Sequence, residues 1–135
     1  MEKCLEILKE RFSNDSLMAL ATVDENNKPW VRTIDAIFIK DSFYTITYAL
    51  SNKMIHINNN NTVAISGEWF SGHGKAFNLG HIKLEENKEI ADKLRKAFAA
   101  WYDNGHTNED DINTIILKIK VVDGVIFKHG SRYEF

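Results

Sequence analysis

Between Leu17 and Tyr48 the sequence holds three strand-length segments and very little chain to join them. Leu17–Val23 and Trp30–Ile39 are separated by the polar run Asp24-Glu25-Asn26-Asn27-Lys28 and Pro29, and Asp41-Ser42 turns the chain into Phe43–Tyr48. A parallel crossover needs a dozen or more residues, so neighbours this close must pair antiparallel. The third segment alternates strictly, with Phe43, Thr45 and Thr47 on one face and Tyr44, Ile46 and Tyr48 on the other, the pattern of a strand with two distinct faces. Pro29, the only proline, can open a strand without removing a ladder bond. In the first segment Leu17, Ala19, Ala21 and Val23 share one side and are mostly small.

The rest of the chain continues this pattern with a few helices. Residues 2–12 place Leu5, Leu8 and Phe12 on one helical face. Ser51 is a good N-cap for a short helix from Asn52 to about Asn58. Thr62–Phe70 and Gly72–Leu84 read as a fourth and a long fifth strand. A longer helix is expected over Lys88–Asp103, capped by Asn87, with an Ile90, Leu94, Ala97, Phe98 and Trp101 stripe and Gly105 as terminator. Ile112–Val122 reads as a last long strand, and Asp123-Gly124 as a type I′ turn leading to Val125-Ile126-Phe127. The order is α-β-β-β-α-β-β-α-β-β. About six antiparallel strands with only three helices predict a mainly β (α+β) chain, a closed or split β-barrel with helices at its ends. At 135 residues one domain, residues 1–135, is expected, with no internal repeat.

Composition removes several function classes. Seventeen Lys+Arg against nineteen Asp+Glu give a net charge of −2, so neither a nucleic-acid footprint nor attraction to an anionic membrane is expected. The single cysteine, Cys4, excludes an intrachain disulfide and multi-cysteine metal sites. No apolar run approaches the roughly 18 residues of a membrane span, and the acidic start Met1-Glu2-Lys3-Cys4 is not a secretory signal. A cytoplasmic protein is the expectation. Of the five histidines, His73 and His81 share parity on one strand, but eight residues of regular strand separate them by about 27 Å. No metal site is expected.

The residues that point to chemistry cluster at strand ends. Arg32 lies in the second strand and Ser51-Asn52-Lys53 opens the helix after the third. A helix N-terminus presents free N–H groups and a partial positive charge. An arginine fork and a lysine beside it would complete a phosphate site. On the residues alone two readings stay open: a phosphate site, or two solvated surface charges. Trp69-Phe70-Ser71-Gly72-His73-Gly74-Lys75 reads as a hairpin with close backbone approach, and also as an aromatic wall beside a ligand. Trp101 and Tyr102 are expected to pack on the barrel or a dimer partner. Asn108-Glu109-Asp110-Asp111 reads as a solvated turn.

Ala19-Leu20-Ala21-Thr22-Val23-Asp24, followed by Pro29-Trp30-Val31-Arg32-Thr33-Ile34-Asp35, resembles the opening of pyridoxamine 5′-phosphate oxidase-like proteins. Phe43-Tyr44-Thr45-Ile46-Thr47 with Ser51-Asn52-Lys53-Met54, then Asn61–Ile65, Lys75-Ala76 and Gly80, extend the resemblance, which covers residues 15 to 84 best. It implies an FMN-binding split β-barrel that is homodimeric, with flavin at the subunit interface. It assigns Arg32 and Lys53 to the FMN phosphate, with Ser51 and Asn52 assisting. Thr33, Ile34 and Asp35 would run along the isoalloxazine, and Ile46 and Thr47 beside the ribityl chain and phosphate. Lys75 matches a position that reaches the flavin from the second subunit, where glutamine is commoner.

The family's vitamin oxidases carry an Arg-Leu-x-Pro-type segment near the C-terminus. This chain ends Lys128-His129-Gly130-Ser131-Arg132-Tyr133-Glu134-Phe135, so that oxidase activity is not implied. The expected function is an FMN-dependent oxidoreductase or flavin reductase. The alternatives are a non-catalytic flavin carrier or sensor and a haem-binding split barrel using one axial histidine; the residues do not distinguish FMN from a deazaflavin.

Overall fold

The computed structural model describes all 135 residues, Met1–Phe135. Helix α1 (Glu2–Phe12) leads into strands β1 (Ser16–Val23), β2 (Pro29–Ile39) and β3 (Ser42–Tyr48). Helix α2 (Asn52–Asn59) precedes β4 (Thr62–Gly67) and β5 (Phe70–His81). A 3₁₀ turn at Glu85–Asn87 opens α3 (Lys88–Ala97), and β6 (Thr114–Lys128) and β7 (Ser131–Glu134) end the chain. The element order is the one expected. No helix is long and apolar enough to cross a membrane.

Every strand pairing is antiparallel, and the strand order is β3-β2-β1-β4-β5-β6-β7. A further pairing of β3 with β6, from Ser42↔Lys120 to Tyr48↔Thr114, closes six strands into a barrel. β7 sits outside the ring on the end of β6. The ring is split where β2 changes partners. Pro29–Ala36 pair with β1, but only Ile37–Ile39 pair with β3. From Asp35 back toward Arg32, therefore, β2 has no strand on its β3 side.

Period-2 alternation fills the interior. Met18, Leu20 and Thr22 of β1 point inward, while Leu17, Ala19, Ala21 and Val23 form the outer face. α1 buries Cys4, Ile7, Leu8 and Phe12 where β1 begins, and α2 buries Met54 and Ile57 near its other end. Both belong to the one interior cluster. Its aromatic centre is Phe43, whose ring lies 4.9 Å from Phe38, 5.6 Å from Phe12 and 5.9 Å from Phe70. α3 does not close a barrel end. Ala91, Leu94 and Phe98 pack with Ile37, Tyr44 and Ile116 in a second core on the outside of β2, β3 and β6. Those strands carry apolar residues on both faces there, so the outer face needs its own cover.

Four local expectations are corrected. Asp123-Gly124 is not a turn: β6 runs through it, opposite His73 and Gly72. Val122 is the extra residue of a bulge between the pairs His73↔Asp123 and Gly74↔Val121. The glycines are needed there for space, because a Cβ on Gly72 would lie 2.5 Å from the Asp123 carbonyl oxygen. The hairpin falls instead at His129-Gly130, with φ of 51° and 77°, between paired Lys128 and Ser131. Positive φ at both positions is what a type I′ turn requires. β4 stops at Gly67 and turns through Glu68-Trp69, so Phe70 opens β5. α3 ends at Ala97 and the chain continues in turns to His106. Asn87 does not cap it, since its side chain donates to the Leu79 and His81 carbonyls at 2.9 Å each and ties α3 back to β5.

Phe43 is fully buried among three other rings. Phe43→Ala is expected to lower stability by about 3–5 kcal/mol, read as a fall in the urea midpoint with an unchanged slope.

Candidate functional site

The parting of β2 from β3 leaves a cleft of about 240 Å³. Arg32, Thr33, Ile34 and Asp35 form one wall and Thr45 and Ile46 the other, with Lys53 and Trp101 also lining it. Thr45 Oγ1 donates to the Asp35 carbonyl at 2.5 Å across the gap, where a ladder bond would otherwise lie. The Asp35 carbonyl thus points away from β1, and by the two-residue period the backbone groups of Thr33 do the same. One wall therefore offers main-chain donors and acceptors to whatever enters.

Lys53 and Arg32 bring positive charge to the cleft. Arg32 Nη1 donates to Thr22 Oγ1 at 2.6 Å, with the Leu20 and Trp30 carbonyls at 3.3 Å. Thr22 Oγ1 also lies 2.8 Å from His56 Nδ1. A guanidinium has no acceptor, so the Thr22 hydroxyl receives from Arg32 and its own proton is free for His56. Lys53 Nζ donates to Thr47 Oγ1. Burial pushes the Lys53 ammonium down to about 8, and repulsion from Arg32 pushes it the same way. Burial also lowers the Arg32 guanidinium from its ordinary value. No carboxylate offsets either shift. Two partly buried cations thus face each other without a counter-charge, which is the electrostatics of an anion seat.

α2 supplies the third element. Ser51 caps it, accepting from Met54 N at 3.4 Å. Asn52 and Lys53 are its first two residues, and N–H groups there have no acceptor within the helix. They add donors and the positive end of the helix dipole to the same corner.

Trp101 and Asp35 mark the cleft's other character. Trp101 Nε1 donates to Asp15 Oδ2 at 2.7 Å, and its ring stacks on Phe98 at 4.9 Å. Burial, and then the neighbouring Asp15, raise the Asp35 carboxyl to about 6.

Of the residues singled out in the sequence, Arg32, Thr33, Ile34, Asp35, Ile46 and Lys53 line this one cleft. Thr47 lies against Lys53, Ser51 caps α2, and Asn52 is exposed at its start. Lys75 lies apart on β5, opposite Thr62, and donates to Thr62 Oγ1 at 2.6 Å. The sequence assigned neither Thr22 nor Trp101 to the site, and expected Trp101 only to pack on the barrel or a dimer partner. Thr22 carried a signal, being polar at the inward parity of β1. Trp101 carried none, because it reaches the cleft from turns beyond α3. A larger cavity, about 420 Å³, lies elsewhere, beside α1 and the two hairpin turns that carry Trp69 and His129.

The family model described as pyridoxamine 5′-phosphate oxidase matches residues 5–126. Among solved structures, a NimC/NimA family protein from Clostridium acetobutylicum is 20% identical, with a TM-score of 0.67 over 100% of this chain and 93% of that one. An FAD-binding protein from Mesorhizobium loti is 14% identical, with a TM-score of 0.68 over 90% and 88%. A haem-binding protein from Mycobacterium smegmatis is 12% identical, with a TM-score of 0.66 over 90% of this chain and 53% of that one. At such identities the likeness is one of fold. No curated protein matches the chain.

The uncompensated Lys53 charge gives a prediction that needs no ligand. Lys53→Met is expected to stabilise the free protein by about 1–2 kcal/mol at neutral pH, after allowance for solvent screening and the lost Thr47 bond. The folded-state value of about 8 lies below the ordinary lysine value of about 10.4. The penalty on the native charge is therefore complete below pH ~8 and fades as pH rises toward the unfolded value. Urea midpoints of the two proteins, compared at a series of pH values, are expected to differ most at neutral pH and to converge in alkali.

Proposed function

Because the chain belongs to the pyridoxamine 5′-phosphate oxidase family, we propose that the cleft between β2 and β3 binds FMN and that the protein is a flavin-dependent oxidoreductase or flavin reductase. The observation that carries the reading is the uncompensated Arg32–Lys53 pair beside the N-terminus of α2. FMN ends in a phosphate monoester, a compact dianion that this corner suits. Arg32 and Lys53 hold the phosphate, and the N–H groups of Asn52 and Lys53 and the hydroxyl of Thr47 surround it. The outward backbone of Thr33–Asp35 meets the polar edge of the isoalloxazine, and Ile46 lies under the ribityl chain. The flavin, when bound, supplies the electron and hydride chemistry, while the protein supplies position and electrostatics.

A second copy of the chain completes the site. Ligand sites usually enclose about 300–1,000 Å³, and the cleft of one chain offers about 240 Å³. Beside it Leu17 and Val31 are 70% and 71% exposed on the outer face of β1 and β2. Around them lies the small outer face of Ala19, Ala21 and Ala64. An apolar surface of that kind favours self-association. Lys75, remote from its own chain's cleft, is assigned to the flavin of the second copy.

The test is the absorption spectrum of the protein after FMN addition and desalting. About one retained flavin per subunit is expected, and a Soret band instead would give the site to haem. Arg32→Ala and Lys53→Ala are each expected to weaken FMN binding by about 1.5–3 kcal/mol; unchanged affinity in both would remove the phosphate assignment. Loss of the Lys53 proton at pH about 8 removes a charge from the seat, so FMN affinity is expected to fall as pH rises through that value. Lys53→Arg, always charged, is expected to flatten that fall in a fluorescence titration. Oxidation of a reduced nicotinamide by the loaded protein with an added acceptor would separate an enzyme from a carrier.

A further inference from the structure

Trp101 comes to the cleft by a route separate from the barrel. α3 ends at Ala97, and the chain then runs in turns that hold Phe98, Trp101 and Tyr102 against the outside of β2, β3 and β6. Two anchors fix this arm. The Tyr102 hydroxyl donates to Glu109, and Arg95 grips both Glu109 oxygens at 2.8 Å, closing the arm onto α3. The Trp101 indole is itself held twice, by its N–H to Asp15 in the α1–β1 turn and by its stack on Phe98. Trp101 is half-buried and lines the same cleft as Arg32, Asp35 and Lys53. A large aromatic surface has thus been fixed by two contacts at a cleft otherwise lined by strand backbone and by aliphatic and polar side chains.

We propose that Trp101 is the aromatic wall of the flavin site, with its indole in contact with the planar ring system of the bound flavin. The inference rests on the flavin reading above. Indole and isoalloxazine are both flat and polarisable, so contact in offset or edge-on geometry adds to the area buried. Asp15 is the positioning residue, since its carboxylate sets the rotation of the indole. The Arg95–Glu109–Tyr102 anchor holds the arm that carries it. A ring of this kind is also an electron donor to an excited flavin, so contact leaves an optical signature independent of turnover.

The experiment uses the full chain loaded with FMN and reads the fluorescence yield and lifetime of the bound flavin. In the unaltered protein the emission is expected to be strongly quenched relative to free FMN. Trp101→Phe keeps the stack on Phe98 but removes the strong donor, and Trp101→Leu removes the ring. Both are expected to retain FMN and recover emission several-fold, and Trp101→Leu is expected to raise the FMN Kd by about two- to twelvefold. Trp69→Leu, on the distant β4–β5 turn, is expected to leave the quenching in place. Quenching unchanged in both Trp101 variants, with FMN stoichiometrically bound, would overturn the assignment while leaving the flavin reading intact. Failure of the unaltered protein to bind FMN would overturn both.

Discussion

The pairing of β3 with β6 is the constraint on which the rest of the molecule depends. It joins the two ends of a six-stranded sheet along the whole of β3, from Ser42 to Tyr48. Closure covers the free edge of β3 and encloses the Phe12, Phe38, Phe43 and Phe70 cluster. It also decides where the barrel must open. β3 follows β6 throughout but stays with β2 for only three residues, Ile37–Ile39. Beyond them the Thr45 hydroxyl, rather than a main-chain N–H, satisfies the Asp35 carbonyl. The cleft follows from the way the barrel closes.

That opening gathers charges that burial disfavours. Lys53 and Arg32 are lowered and Asp35 is raised, and in each case desolvation is the leading cause. A chain with net charge −2 nevertheless puts two uncompensated cations side by side, although carboxylates elsewhere pair readily, as Glu109 does with Arg95 and Glu10 with Lys128. Groups arranged for stability alone would pair in that way. A corner kept positive at the expense of folding energy is what the phosphate site proposed above requires.

The two cores divide the work. The interior cluster, closed by α1 and α2, fixes the walls of the cleft. The outer cluster under α3 carries the Trp101 arm, whose turns after Ala97 are held by local backbone bonds and latched to α3 by side-chain hydrogen bonds rather than by a strand ladder. A barrel strand cannot change length without shifting its register and every face along it. An arm latched through Arg95 and Glu109 lies outside that register.

Much of this was legible in the sequence. Turns of two to six residues left no alternative to antiparallel pairing in Leu17–Tyr48, and Ser51 before an apolar-periodic stretch placed α2 and with it the corner beside Arg32 and Lys53. Local chemistry determines such features. The Asp123-Gly124 turn was misread because the same dipeptide suits a bulge when a neighbouring strand continues on both sides, and only β5 supplies that information. The role of Asn87 and the arrival of Trp101 at the cleft likewise depend on contacts outside their own element, with Leu79, Glu109 and the distant Asp15 among them. The sequence by itself determined the strands, their direction and the cationic corner, because these follow from periodicity, turn length and capping. Tertiary structure alone decided where the barrel splits, which strand edge is left open and what faces it, because those follow from the closure of the sheet and from packing between distant segments.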